Sequence, residues 1–225
     1  MTAKLLHFQD LAPAIRHFVF EVPEVASLDF QPGQFASLTA VIGGREITRA
    51  YSLAAPPAGN RFEICLNCVD EGLFSPHLFA LKAGETVTLK GILGTFVWRF
   101  PAMDSILVAT GTGVVPFRAM LGDFAGRRVT LIYGTRMAEN LLWRDEFREL
   151  ERQNPNFRFL PTVTRPDAAW TGAAGRVQPL FLEALGERRD VQVYVCGLKE
   201  MVDSVRALAK ERGLERRQII SEKYD

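Results

Sequence analysis

Cysteine is scarce in this chain. Only Cys65, Cys68 and Cys196 occur, an odd number and far too few to staple a small secreted domain, so a disulfide framework is excluded and a reducing, cytoplasmic setting is expected. Histidine is equally sparse. His7, His17 and His77 are scattered and form no recognisable zinc-ligand spacing with the cysteines, so no metal is expected. Cys65-Leu66-Asn67-Cys68 spells C-x-x-C, but residues three apart in a strand point to opposite faces, which argues against a metal or redox pair. A charge excess of one sign is missing too. Twenty-seven Lys and Arg against 26 Asp and Glu leave a net charge of +1, which provides no global field to gather nucleic acid. Long apolar runs are absent. No stretch approaches the roughly 18 residues of a membrane-spanning helix, and polar residues interrupt the first segment, which never offers the apolar heart of a signal peptide. The expectation is a soluble cytoplasmic monomer that engages neither nucleic acid nor membrane.

What is present reads as two domains. The 225 residues are 48% hydrophobic and 24% charged, an ordinary globular composition long enough for two modest cores. From Phe18 to about Val97, short β-branched and aromatic runs such as 17–22, 61–66 and 85–90 alternate with turn residues at Pro32-Gly33, Gly43-Gly44, Pro56-Pro57 and Ala83-Gly84. Such spacing predicts an antiparallel β-barrel or sandwich with one short helix over 75–82. After Pro101 the pattern changes to buried apolar runs at 105–109, 128–133 and 191–195, separated by predicted helices over 115–124, 143–153, 177–185 and 199–212. That alternation implies a parallel sheet with helical crossovers. The fold class expected is an N-terminal antiparallel β-barrel, residues 1–101, followed by an α/β parallel-sheet nucleotide-binding domain, residues 102–225.

Several segments offer binding chemistry. Val108-Ala109-Thr110-Gly111-Thr112-Gly113-Val114-Val115-Pro116-Phe117 reads as a strand, a glycine turn and a helix with Pro in its first turn, a geometry that aims free amides at a pyrophosphate. Its spelling is not the G-x-G-x-x-G of ordinary dinucleotide folds, and a plain tight turn is an equal reading of the segment alone. Arg49-Ala50-Tyr51-Ser52 places a diphosphate clamp and a stacking ring on one strand face and a hydroxyl on the other. Surface charge and ordinary packing are the alternatives. Gly72-Leu73-Phe74-Ser75 opens a helix with unpaired amides and a hydroxyl, or is simply a Ser N-cap.

Taken in order, these three motifs, together with Leu81-Lys82-Ala83-Gly84-Glu85, Gly94-Thr95-Phe96 and Tyr194-Val195-Cys196-Gly197, resemble the ferredoxin-NADP reductase family over nearly the whole chain. Pro161-Thr162-Val163-Thr164-Arg165 followed by Gly175-Arg176-Val177 is similar to the compact bacterial ferredoxin or flavodoxin reductases. The resemblance implies a flavoprotein oxidoreductase that passes hydride between NADPH and FAD, and single electrons to or from an acidic ferredoxin or flavodoxin.

By the same resemblance, Arg49 pairs with the flavin diphosphate, Tyr51 stacks on the isoalloxazine, and Ala50 between them belongs to the cofactor-binding set. Ser52 approaches the reducible ring nitrogen, and Leu73, Phe74 and Ser75 hold the diphosphate from the other side, with Gly72 in the same cofactor-binding segment. Thr112 and Gly113 lie where flavin and nicotinamide meet. Cys196 faces the reacting nicotinamide carbon, and Glu222 hydrogen-bonds near Ser52 and Cys196. Thr164, Arg165 and Arg176 take the ribose phosphate with help from Arg136, which favours NADPH and leaves NADH as the alternative. Tyr224 corresponds to an aromatic cover over the flavin, although Asp225 follows it, unlike the plant-type ending. Ser52, Cys196 and Glu222 are the candidate catalytic residues. The chain carries no cysteine-rich stretch for an iron–sulfur cluster, so a separate partner must receive the electrons. An NAD(P)H:flavin reductase or oxygenase reductase component is the second reading, and a non-catalytic nucleotide-binding subunit of an electron-transfer complex the third.

Overall fold

The computed structural model describes residues 1–100, 102–122, 124 and 126–224. Pro101, at the expected domain boundary, and Asp225 lie outside the described residues. The chain forms two compact units, Met1–Val97 with Val115–Gly122, and Trp98–Val114 with Asp123–Asp225.

In the first unit the strands are β1 (Thr2–Ala12), β2 (Ile15–Glu21), β3 (Phe35–Ile42), β4 (Arg45–Ser52), β5 (Arg61–Asn67) and β6 (Thr86–Leu93), with helix α1 (Phe74–Ala80) between the last two. They pair antiparallel in the order β4-β3-β6-β1-β2-β5, and the Leu53–Ile64 bridge draws the β4 and β5 edges together, as a barrel requires. Alternation drives the assembly. Inward residues such as Ala3, Leu5, Phe18, Phe20, Phe62 and Ile64 are buried, while most of their outward neighbours keep contact with water. Stacked rings of Phe18, Phe20 and Phe62 form the centre of this core. Strand β1 goes beyond the sequence expectation because its apolar residues are interspersed with Lys4, His7, Gln9 and Asp10.

The second unit carries β7 (Asp104–Thr110), a 3₁₀ turn (Gly111–Val114), β8 (Val129–Thr135), α3 (Arg144–Gln153), β9 (Phe157–Val163), β10 (Ala173–Ala174), α4 (Val177–Leu185), β11 (Val191–Leu198), α5 (Lys199–Glu211) and β12 (Ile219–Tyr224). Helix α2 (Val115–Met120) follows the 3₁₀ turn in the chain and groups with the first unit. All pairings in this sheet are parallel, in the order β10-β9-β8-β7-β11-β12. Its central strands are buried nearly throughout, which is why they read as unbroken apolar runs. Val177, Phe181 and Leu185 of α4 and Val202, Val205 and Ala209 of α5 pack on the sheet. Three further strands exceed what the sequence pattern predicts, the two-residue β10 among them. Strand β9 contains Pro161, and β12 has only two leading apolar residues. The proline is tolerated because β10 pairs only with Thr162 and Val163, leaving the outer side of Pro161 unladdered. Among the described residues no helix is long and apolar enough to cross a membrane.

Candidate active site

In the first unit, β4 is an edge strand and its last four residues are Arg49, Ala50, Tyr51 and Ser52. Arg49 and Ala50 are exposed, Tyr51 is half-buried and Ser52 is buried. Arg49 Nη1 donates to the Thr48 carbonyl at 2.9 Å and otherwise stands in solvent. The Tyr51 ring lies 6.0 Å from that of Phe74, the first residue of α1, so two of the sequence-predicted site segments meet here. Burial pushes the Tyr51 hydroxyl well above its ordinary pKa and outweighs the Arg49 charge, keeping the ring neutral.

The loop before α1 differs in detail from expectation. Leu73, not Ser75, is the N-cap, and it has no side-chain cap bond. The Ser75 hydroxyl accepts the Val69 N–H at 3.0 Å and the Gly72 N–H goes to the Val69 carbonyl at 2.8 Å. Gly72 and Ser75 therefore shape the loop, while Leu73 is exposed. An Arg on the edge strand, a neutral half-buried ring and a compact loop opening a helix form a donor set that suits a flavin diphosphate and its ring system.

Sequence reading missed a second feature of this unit. Glu63 on β5 sits 2.9 Å from His17 Nε2 and 3.1 Å from Arg118 Nη1, and Arg118 also donates to the Ala54 carbonyl at 2.9 Å. The His17 hydrogen bond, aided by both partners' charge and by Arg118, holds the Glu63 carboxyl below its usual range against the opposing effect of burial. An Arg inside the otherwise apolar α2, Val115-Pro116-Phe117-Arg118-Ala119-Met120, was the available signal. The same helix packs Phe117 5.6 Å from Phe96, ring to ring.

In the second unit, the chain lays β8, β9 and β10 to one side of β7 and then β11 and β12 to the other. The strand order therefore reverses between β7 and β11, and parallel sheets bind ligands outside the carboxyl ends at such a point. The Gly111–Val114 turn follows β7 there. A Cβ on Gly113 would stand 2.3 Å from the Cys196 carbonyl oxygen, so only glycine permits this approach. Gly197, at φ +138°, is equally close to Thr110, whose hydroxyl receives the Leu198 N–H at 3.2 Å. Register sets Glu222 beside Cys196 and Tyr224 beside Leu198. Thr112, Gly113, Cys196, Glu222 and Tyr224 thus come together at one end of one sheet. Cys196 is fully buried. Burial raises its thiol pKa well above normal and the Glu222 charge adds to this, against a hydrogen bond with Tyr224.

The four residues expected at the nucleotide's phosphate also converge. Arg136 follows β8, and Thr164 and Arg165 follow β9. The Arg165 N–H donates to the Arg136 carbonyl at 2.7 Å and the Thr164 N–H to the Thr135 carbonyl at 3.0 Å. Arg176 is the N-cap of α4, which has no side-chain cap and no acidic residue in its first turn. All three arginines are exposed. Three cations beside an uncapped helix start are a donor set that suits an anion.

Residues 2–98 match the oxidoreductase FAD-binding domain and residues 107–207 the oxidoreductase NAD-binding domain. A flavin-binding sheet and a dinucleotide-binding sheet on one chain define a nicotinamide-dependent flavoprotein oxidoreductase. The ferredoxin–NADP reductase B of Sorangium cellulosum is 35% identical over 237 residues, covering 99% of this chain and 97% of that protein. This chain belongs to the ferredoxin–NADP reductase family. The electron transfer component of Burkholderia cepacia 2-halobenzoate 1,2-dioxygenase is 30% identical over 94% of this chain, which spans 64% of that protein's length. A ferredoxin NADP+ reductase from Neisseria gonorrhoeae, solved with bound FAD and NADP, superposes with a TM-score of 0.86 at 26% identity, covering 99% of this chain and 98% of that one.

Proposed function

We propose that the protein is a cytoplasmic, monomeric ferredoxin- or flavodoxin-NADP+ reductase that binds FAD on its antiparallel unit and NADPH on its parallel one. The observation carrying this reading is the convergence of Thr112, Gly113, Cys196, Glu222 and Tyr224 at the strand-order reversal, in a chain nearly co-extensive with the Sorangium reductase. FAD would supply the redox chemistry there, accepting hydride from a nicotinamide nucleotide and passing electrons on one at a time. The protein's own residues bind and orient. Arg49 clamps the diphosphate, Tyr51 lies against the isoalloxazine with Ala50 beside it, and Ser52 offers its hydroxyl to the reducible edge of the ring. The Leu73 and Phe74 amides take the diphosphate from the other side, within a loop that Gly72 and Ser75 fold.

The Gly113 approach fixes the amides of the turn where the nicotinamide docks. Cys196 serves as a neutral, apolar wall, since its thiol stays protonated at physiological pH. Glu222 holds a negative charge beside it, and Tyr224 covers the end of β12. Arg136, Thr164, Arg165 and Arg176 receive the 2′-phosphate, which makes NADPH the preferred nucleotide over NADH. Steady-state turnover of the FAD-loaded protein with ferredoxin and with flavodoxin tests the reading: efficient carrier reduction supports it. Activity only with added free flavin would replace it with the flavin reductase or oxygenase reductase alternative. Failure to take up FAD would favour the non-catalytic subunit. The Arg165→Ala, Arg176→Ala double variant is expected to weaken NADPH use roughly tenfold or more while sparing NADH, because charge-assisted hydrogen bonds contribute about 1.5–3 kcal/mol each.

A further inference from the structure

Trp170 has no place in the site as described, yet the segment between Arg165 and Arg176 folds around it. We propose that Trp170, held by Arg144, is a positioning residue for the phosphate end of the nucleotide: it presents Arg165 and Arg176 together without itself touching the ligand. The inference rests on the NADPH reading above.

Arg144 is the first residue of α3, and a cation there opposes the positive end of the helix, whereas Asp145 and Glu146 after it suit that end. Trp143, just before it, is held at φ 52° and ψ 29°, a left-handed conformation rare for a bulky residue. The Trp143 carbonyl still receives the first helical N–H, that of Phe147, at 3.0 Å, but the cation at Arg144 does nothing for the helix. Its guanidinium lies 5.1 Å from the centre of the Trp170 ring, within cation–π reach.

The indole is pinned within its own segment as well. Its Nε1–H donates to the Ala173 carbonyl at 2.9 Å, and its backbone N–H to the Asp167 carbonyl at 3.2 Å. The Thr162 hydroxyl reaches the same Ala173 carbonyl at 3.2 Å and that of Gly175 at 2.9 Å, tying the peg to β9. A Cβ on Gly172 would stand 2.5 Å from a ring carbon, so the backbone closes directly on the indole. Both ends of the segment are fixed too, Arg165 to the Arg136 carbonyl and Gly175 to the Val163 carbonyl. Between them, residues 166–169 and 171–174 are exposed. Without the half-buried ring, the middle of the segment has little apolar contact left to order it.

The test compares Trp170→Ala, Trp170→Phe, Arg144→Gln and Arg144→Lys in the FAD-loaded protein, reading KM for NADPH and NADH and calorimetric affinity for 2′-phospho-AMP and AMP. Trp170→Ala is expected to lower the NADPH preference and the 2′-phospho-AMP to AMP affinity ratio by about tenfold. Arg144→Gln should lower them by about threefold, with Arg144→Lys restoring them because an ammonium can also sit over the ring. A purely structural role would lower thermal stability without moving either ratio, and ratios unchanged in folded Trp170→Phe and Arg144→Gln overturn the inference. So does an equal loss for AMP and NADH, which would make the indole an adenine contact. If the Arg165→Ala, Arg176→Ala variant keeps its NADPH preference, the phosphate reading itself falls. If that variant loses the preference while the Trp170 and Arg144 variants keep it, only the positioning role falls.

Discussion

Gly113→Ala probes the close approach on which the proposed nicotinamide end of the site rests. Its new Cβ would stand 2.3 Å from the Cys196 oxygen, 2.6 Å from the Cys196 carbonyl carbon and 2.7 Å from the Gly197 Cα. Contacts under 3.0 Å do not persist, so turn and strand must part by about 0.7 Å or more in a close-packed interior. Strand β11 is laddered on both sides, by β7 and β12. The turn is therefore the part that gives. Overpacking of this kind costs about 1–3 kcal/mol of stability, and an alignment error of ~1 Å can slow a reaction by ~10²-fold. Flavin reduction is expected to slow by roughly one to two powers of ten. Gly111→Ala is the control: Gly111 sits at φ +55° with nothing within 4 Å of the methyl an alanine would add, so the change brings only backbone strain of about 1–2 kcal/mol. Rapid mixing of each FAD-loaded variant with saturating NADPH, without oxygen, measures the bleaching rate. A folded Gly113→Ala protein bleaching at the native rate, or Gly111→Ala proving the slower of the two, would refute the reasoning.

Arg49→Ala should weaken FAD retention roughly tenfold or more, the loss of one charge-assisted contact to a diphosphate; flavin content after gel filtration measures it, and unchanged content would remove Arg49 from the site. Glu63 has a depressed pKa in the folded protein, so its contribution to stability is full above the unfolded value near 4.3 and fades as pH falls through the folded one. Glu63→Gln is accordingly expected to cost about 1–2 kcal/mol at neutral pH, by denaturant melts, and to lose that cost as pH falls through the depressed folded pKa of Glu63; a gap that stays constant with pH would contradict the ion-pair account. Native Cys196 should resist alkylation at mildly alkaline pH, since it is buried and its thiol pKa is raised, and prompt labelling without unfolding would argue against its place as a closed wall.

The two fold classes are legible in the sequence because their periods differ. Alternation in β6, and in β2 and β5 apart from the buried Val19 and Cys65, images one-sided burial, and unbroken apolar runs in β7, β8 and β11 image two-sided burial. Helix α4 matches its expected span to the residue, 177–185, because its apolar face is complete, whereas α1 begins at Phe74 and ends at Ala80, slightly before the expected span. Strands β1, β9 and β12 are illegible: polar alternation, an internal proline and a short apolar lead each obscure a strand whose formation depends on its neighbours. Site residues are legible where backbone chemistry demands a residue type, as at Gly113. Residues that act through distant partners leave no local pattern. His17 and Arg118 lie 46 and 55 residues from Glu63 along the chain, and Arg144 reaches Trp170 from a different element altogether.

The central claim is that one chain holds a flavin and a nicotinamide nucleotide for hydride exchange. Its most direct test is an oxygen-free titration of the FAD-reconstituted protein with NADPH, and in parallel with NADH, watching the visible flavin band. The account predicts stoichiometric bleaching by NADPH, with NADH needing markedly higher concentrations; a protein that binds no FAD, or whose bound flavin neither nucleotide bleaches, would contradict it.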